Sequence, residues 1–207
     1  MKVLVFGATG SVGRRVVEQG LARGHEVAAF VRNPSGLDVA REGLTVFRGD
    51  VLEATSVERA VRDQEAVLCS LGAGRNGRVR SEGTQNIVRA MEGVGVRRLV
   101  CQTTLGAGDS SGNLNFFWRR VMFGLLLRDA FADHEQQEAH VRRSDLDWTI
   151  VRPAAFTDSG RTGAYRHGFP PSKTGLGLKI SRADVAEFML DQLTDDAYLR
   201  QTPGLSY

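Results

Sequence analysis

The chain has 207 residues, 42% hydrophobic and 25% charged, with 27 basic against 24 acidic side chains and a net charge of +3. That length and composition suit one well-buried α/β domain spanning 1–207. The small, scattered charge excludes a concentrated nucleic-acid footprint, and two cysteines supply neither a disulfide framework nor a metal-ligand set, so no metal is expected.

Residues 2–6, Lys-Val-Leu-Val-Phe, read as a buried first strand. They run into Gly7-Ala8-Thr9-Gly10-Ser11-Val12-Gly13, a G-x-x-G-x-x-G turn with a helix expected to open at Ser11 as its N-cap. Gly7 lets the chain turn sharply, Gly10 removes a side chain where backbone must approach a ligand, and Gly13 lets the helix pack on the sheet. Residues 25–31 read as a second strand with Arg32 at its end, and 44–48 as a third with Asp50 and Val51 beyond it. A helix is predicted over 55–62, a strand over 66–70 leading to Ser70, Leu71 and Gly72, and a helix over 81–92. A fifth strand at 96–101 ends near Thr103 and Thr104, and a sixth at 147–151 precedes Arg152, Pro153 and Ala154. Between them lie a Gly/Ser/Asn-rich loop at 106–115 and helical stretches at 116–128 and 133–143. Residues 177–180 read as extended, Ser181 caps a helix running to 193, and a short extended segment ends the chain.

Apolar strands separated by helical segments predict a doubly wound Rossmann fold, mostly parallel, with helices on both faces of the sheet. Ligands in such sheets bind beyond the carboxyl ends of the strands, so the residues just after each strand are the site candidates. The glycine turn and helix start form a cradle for a dinucleotide phosphate, which makes a nicotinamide cofactor the first expectation. Where an NAD-selective site carries an acid for the ribose 2′-hydroxyl, this chain has Arg32, which favours a 2′-phosphate and hence NADP(H). The cofactor-binding candidates are Gly7, Thr9, Gly10, Ser11, Val12, Gly13, Arg32, Asp50, Val51, Ser70, Leu71, Gly72, Thr103, Arg152, Pro153 and Ala154.

Val5-Phe6-Gly7-Ala8-Thr9-Gly10, Phe30-Val31-Arg32, Gly49-Asp50-Val51, residues 81–88 and residues 146–153 together resemble the NmrA-like atypical short-chain dehydrogenase/reductases. Within that group Asp133-His134, Thr162-Gly163-Ala164-Tyr165, Ile180-Ser181 and Phe188-Met189-Leu190 make the biliverdin reductase B type of NADPH-dependent flavin reductase the nearest likeness. The resemblance implies hydride transfer from the nicotinamide to a small planar acceptor, flavin as substrate first, with a tetrapyrrole or quinone next. It also allows a non-catalytic NADP-binding redox sensor acting through a protein partner. Thr104 lies where the group has a serine beside the nicotinamide, and Ala155 replaces a histidine, which weighs against tetrapyrrole relative to flavin.

The Tyr-x-x-x-Lys pair of ordinary alcohol dehydrogenases, which supplies a poised proton donor, is missing: Tyr165, Tyr198 and Tyr207 have no lysine four places on. Thr104 and His134 are the catalytic candidates, Thr104 as a hydrogen-bond donor or a structural strand end, His134 as a proton donor or a surface histidine. Trp118, Met122, Phe156 and Tyr165 are the acceptor-binding candidates. Residues 117, 121 and 125 share a helical face that reads chiefly as core, with Trp118 and Met122 offset as a pocket wall or a dimer patch. Lys2–Phe6 is too short for a signal-peptide core, and 116–127 is broken by Arg119 and Arg120, so a cytoplasmic protein without membrane association, monomeric or weakly dimeric, is expected. Cys69 and Cys101, brought to one sheet edge, read as buried and inert in preference to a redox pair.

Overall fold

Lys2–Phe6 forms β1, whose alternate side chains divide between two cores: Val3 and Val5 face one side of the sheet, Leu4 and Phe6 the other. In this computed structural model, which describes residues 1–35, 37, 41–72 and 78–207, β1 is central. Beside it lie β2 (Glu26–Val31) and β3 (Leu44–Arg48) on one flank. On the other lie β4 (Ala66–Cys69), β5 (Arg98–Gln102) and β6 (Asp147–Pro153). These six strands pair in parallel in the order 3-2-1-4-5-6, which places the reversal of strand order between β1 and β4.

The helices cover both faces. Helix α1 (Gly13–Ala22) and α5 (Arg182–Asp191) close the core built on Val16, Val17, Val185 and Met189. Helices α2 (Ala54–Val61), α3 (Val79–Val94) and α4 (Arg128–Arg142) close the other, through Val57, Ile87, Met91 and Val141. Ser181 caps α5 as expected, its side chain accepting from Asp184 N–H at 2.9 Å. At α1 the expected cap is displaced: Gly10–Val12 makes an additional turn, with Arg14 N–H bonding Gly10 carbonyl at 3.0 Å, so Val12 and not Ser11 precedes the first helical residue.

Four short strands complete the architecture, of which the extended readings at 177–180 and at the end of the chain anticipate two, Lys179–Ser181 and Gly204–Ser206. A parallel pair forms from β7 (Ala155–Thr157) and β9 (Lys179–Ser181), while β10 (Gly204–Ser206) extends the main sheet beside β6. The edge is then closed by antiparallel β8 (Arg166–His167). Between β5 and α4 run a 3-10 turn, Gly108–Asn113, and a π-helical segment, Phe117–Leu126, whose last bond joins Leu127 N–H to Met122 carbonyl at 2.7 Å. The face of 117, 121 and 125, expected to be core, turns outward: Phe117 is 55% exposed and Leu125 74%. Among the described residues no helix is long and apolar enough to cross a membrane.

Candidate functional site

The reversal of strand order between β1 and β4 leaves room above the sheet edge only because the residues there are small. Gly7, at φ +77°, closes against the Ser70 carbonyl at the end of β4, and a Cβ on it would collide with that oxygen. A Cβ on Gly13 would collide with the Gly7 carbonyl, so its absence lets α1 start directly against the turn. Gly10 is less crowded: its Cβ would lie 3.0 Å from the Gly7 carbonyl oxygen and 3.9 Å from that of Ser70, a tight contact and not a collision.

Two cavities meet over this turn. One, of about 270 Å³, is lined by Gly7, Thr9 and Gly10, by Phe30, Val31 and Arg32 at the end of β2, by Gly49, Asp50, Val51 and Leu52 after β3, and by Leu71, Gly72 and Val79. The other, of about 280 Å³, is lined by Gly10, Ser11, Val12, Ser70, Leu71 and Gly72 and by Gln102, Thr103, Thr104, Pro153 and Ala154 from the ends of β5 and β6. Its outer walls are Leu114, Trp118, Leu127, Phe156 and Leu178, with Arg80 and His134 on the side of α3 and α4. Gly10, Leu71 and Gly72 belong to both, so the cavities adjoin as the two halves of a trough across the switch point.

At the first end, Arg32 is exposed and Asp50 is half-buried, with one carboxylate oxygen accepting from Leu52 N–H at 3.0 Å. Val51 is buried, and Gly83 of α3 makes the space for it, since a Cβ there would stand 2.8 Å from the Val51 side chain. At the second end, Ser70 Oγ donates to Gln102 Oε1 at 2.8 Å, which ties β4 to β5 just under the floor. Thr103 Oγ1 donates to Glu138 Oε1 at 2.8 Å and so is already committed, whereas the half-buried Thr104 hydroxyl has only a long 3.4 Å contact with Leu105 carbonyl. Of the two hydroxyls, Thr104 is the one available to a ligand.

His134 reaches the cleft, but as a neutral imidazole. Burial, and then the nearby Arg80 cation, push its pKa down to about 4. Gln137 Nε2 donates to Thr84 Oγ1 at 3.1 Å and Cys101 Sγ at 3.3 Å, leaving its Oε1 to accept at 3.2 Å from His134 Nδ1. The proton therefore sits on Nδ1, and Nε2 carries a lone pair. This corrects the expectation of a proton donor: the free nitrogen is an acceptor.

Three other expected site residues lie elsewhere. Arg152 is buried beneath the floor, with Nε donating to Glu138 Oε1 at 2.8 Å and Nη2 to Glu138 Oε2 at 2.6 Å, and Nη1 donating to Asp109. Burial works against its charge, yet the Glu138 carboxylate outweighs it and raises its pKa. It braces the shelf under Thr103 and does not line the cleft. Tyr165 stacks on Phe188 and His167, at 6.3 and 6.0 Å between ring centres, because the preceding loop is pinned down by Asp184, which accepts from Thr162 N–H, Thr162 Oγ1 and Gly163 N–H. Met122 is half-buried on the π-helical segment, off the lining, where Trp118 and Leu127 supply the wall. Cys69 and Cys101 stand in register across β4 and β5 and are buried outside the cleft; the neighbouring sulfur and burial push the Cys101 thiol well up.

Arg80 escapes sequence reasoning because the pattern predicts a helix that starts only at Ser81. Its signal is a cation in the first turn of a helix, where the macrodipole disfavours positive charge.

A doubly wound sheet with a glycine cradle and adjoining cavities at its switch point defines a dinucleotide-binding protein. The chain belongs to the NAD(P)H-binding family, which it matches over residues 7–196. It is 33% identical over 210 residues to an uncharacterised chloroplastic protein of Arabidopsis thaliana, covering 94% of this chain and 72% of that one. Among solved structures it is similar to ChuY, an anaerobilin reductase from Escherichia coli O157:H7, at 27% identity and a TM-score of 0.84 over 99% of this chain and 96% of that one. It shares the fold of a wide-type short-chain dehydrogenase/reductase from Veillonella parvula solved with NADP, at 20% identity and a TM-score of 0.86 over 100% and 94% of the two chains. The chain is therefore an NAD(P)H-binding protein.

Proposed function

We propose that this protein is an NADPH-dependent reductase of a small planar conjugated acceptor, with flavin (FMN, FAD or riboflavin) the leading substrate and a linear tetrapyrrole or quinone next. The observation that carries it is the trough itself, with Arg32 at one end and a pocket walled by Trp118, Leu127 and Phe156 at the other. The residues present fit the cofactor: Gly10, without a side chain, lines both cavities, α1 starts at Gly13 directly after the turn, and Arg32 offers a guanidinium for a 2′-phosphate.

When bound, NADPH supplies a hydride from the nicotinamide C4, leaving NADP+ and an acceptor reduced by two electrons that takes its balancing proton from solvent. The protein's share is placement and exclusion of water. Gly10 and the α1 start hold the diphosphate, Asp50 and Val51 face the adenine, and Thr104 presents the free hydroxyl at the end of β5. Trp118, Leu127 and Phe156 would hold the acceptor in place within the cavity that they line, a positioning effect that would supply much of the acceleration when the acceptor spreads the incoming charge over its own heteroatoms. A neutral His134 in the lining matches an acceptor of this type, which needs no strong acid. The similarity to an anaerobilin reductase supports a flat, extended substrate.

The test is NADPH oxidation with FMN, FAD, riboflavin, a quinone and biliverdin, following reduced product, together with the affinity for NADP+. Turnover of at least one acceptor is expected. Tight binding of NADP+ with no acceptor turned over contradicts the reductase assignment and points to a redox sensor.

A further inference from the structure

Resting on the reductase assignment, we propose that Arg80 seats an anionic substituent of the acceptor, a phosphate monoester or a carboxylate, and so selects acidic planar acceptors over neutral ones. Among the described residues lining the acceptor cavity, Arg80 is the one formal charge: no carboxylate lines it, and His134 is neutral. The Arg80 side chain is 11% exposed, and a cation so enclosed calls for an anionic partner.

Asp133 meets that need only in part. Its Oδ1 accepts from Ser81 N–H at 2.9 Å, and its Oδ2 accepts from Arg80 N–H at 3.3 Å and from Arg80 Nη1 at 3.4 Å. The carboxylate is thus engaged chiefly in capping the first turn of α3, and its contact with the guanidinium is the longest of the three. With the positive end of α3 added, the corner keeps a net positive charge. Asp133 also orients Arg80, so the guanidinium stands ready for a two-point contact with an oxyanion.

The position separates this charge from the one expected to read the cofactor. Arg32 lines the adenosine-side cavity and Arg80 the acceptor-side cavity, with Gly10, Leu71 and Gly72 between them. A neutral ring fills the apolar walls equally well but leaves Arg80 with only its long contact to Asp133. Acceptors differing only in that charge are therefore discriminated.

The experiment uses the full chain saturated with NADP+. Binding of FMN against riboflavin is read by quenching of flavin fluorescence, and binding of biliverdin against its dimethyl ester by absorbance; the same pairs are run with NADPH for kcat/KM. Wild type, Arg80→Gln and Arg80→Lys are compared. We expect wild type to favour the acidic member of at least one pair by 10-fold or more, and the pair that shows it identifies phosphate or carboxylate as the group seated. Arg80→Gln is expected to bring that ratio to within about 2-fold of unity while leaving the NADP+ Kd unchanged, and Arg80→Lys to restore part of it. Equal binding within both pairs by wild type, a ratio unmoved by Arg80→Gln, or a loss of NADP+ affinity matching the loss of acceptor affinity overturns the proposal. Charge-selective binding without turnover of any acceptor supports the Arg80 site while contradicting the reductase assignment.

Discussion

Arg152 and Glu138 meet in a two-point contact beneath the cleft floor, both nearly excluded from solvent, at 2.8 and 2.6 Å. The same Glu138 oxygen that takes Arg152 Nε also takes the Thr103 hydroxyl, so the pair holds the end of β5 against α4 and β6. Glu138→Gln leaves a buried guanidinium short of its main counter-charge. Breaking such a pair costs about 3–5 kcal/mol, and the lower end applies because Asp109 still bonds Arg152. We expect denaturant unfolding to show a loss of about 3 kcal/mol; an unchanged midpoint and slope would show that the brace is dispensable.

His134 makes stability fall in acid. Its pKa is about 4 in the folded chain against an ordinary 6.5. Between those values the unfolded chain takes up a proton that the folded chain refuses. The destabilisation is absent above about pH 6.5, grows as pH falls and is complete below about 4, reaching on the order of 2 kcal/mol since the ring keeps an exposed edge. Unfolding measured from pH 7 to 4 is expected to show this slope in wild type and a shallower one in His134→Gln. Identical slopes would mean that His134 titrates normally.

Arg32 sets cofactor preference if its guanidinium meets the 2′-phosphate. A hydrogen bond to a charged group is worth about 1.5–3 kcal/mol, so Arg32→Ala is expected to lower the NADPH over NADH ratio of kcat/KM by roughly 10- to 100-fold. The NADH value itself is expected to stay nearly constant. A ratio that does not move removes Arg32 from the site.

Gly10 separates cradle from scaffold. A Cβ there has only the Gly7 carbonyl within 3.0 Å, unlike the collisions at Gly7 and Gly13. Gly10→Ala is therefore expected to fold with a modest fall in Tm yet to weaken NADP+ binding at least about 10-fold, because the methyl group displaces the turn whose backbone the diphosphate must approach. Calorimetry of binding beside a thermal melt tests both halves; equal affinity would show that the diphosphate does not lie there.

The parts of the site carried by local chemistry are legible in the amino-acid order alone. Gly7, Gly10 and Gly13 stand out by their spacing, and β3 falls where its alternating apolar residues put it. Parts fixed by distant partners are not legible in this way. Arg152 ends a strand beside a ligand edge, and only Glu138 and Asp109, 14 and 43 residues away, turn it under the floor. Four-residue spacing puts Phe117, Val121 and Leu125 on one face but carries no information on whether that face points in or out. Tyr165 lies in a loop whose path is set by Asp184, from a helix begun 17 residues later. Strands β7 and β8 are three and two residues long and exist through their pairing, which no periodicity of that length can signal.

Direct hydride transfer within the trough is tested most directly with NADPH carrying deuterium at both C4 positions and 5-deaza-FMN as acceptor, whose reduced C5 retains what it receives. Mass spectrometry of the product after one turnover is expected to show one added deuterium. Reduced 5-deaza-FMN without deuterium, or none formed while NADP+ binds tightly, would contradict hydride transfer by this protein.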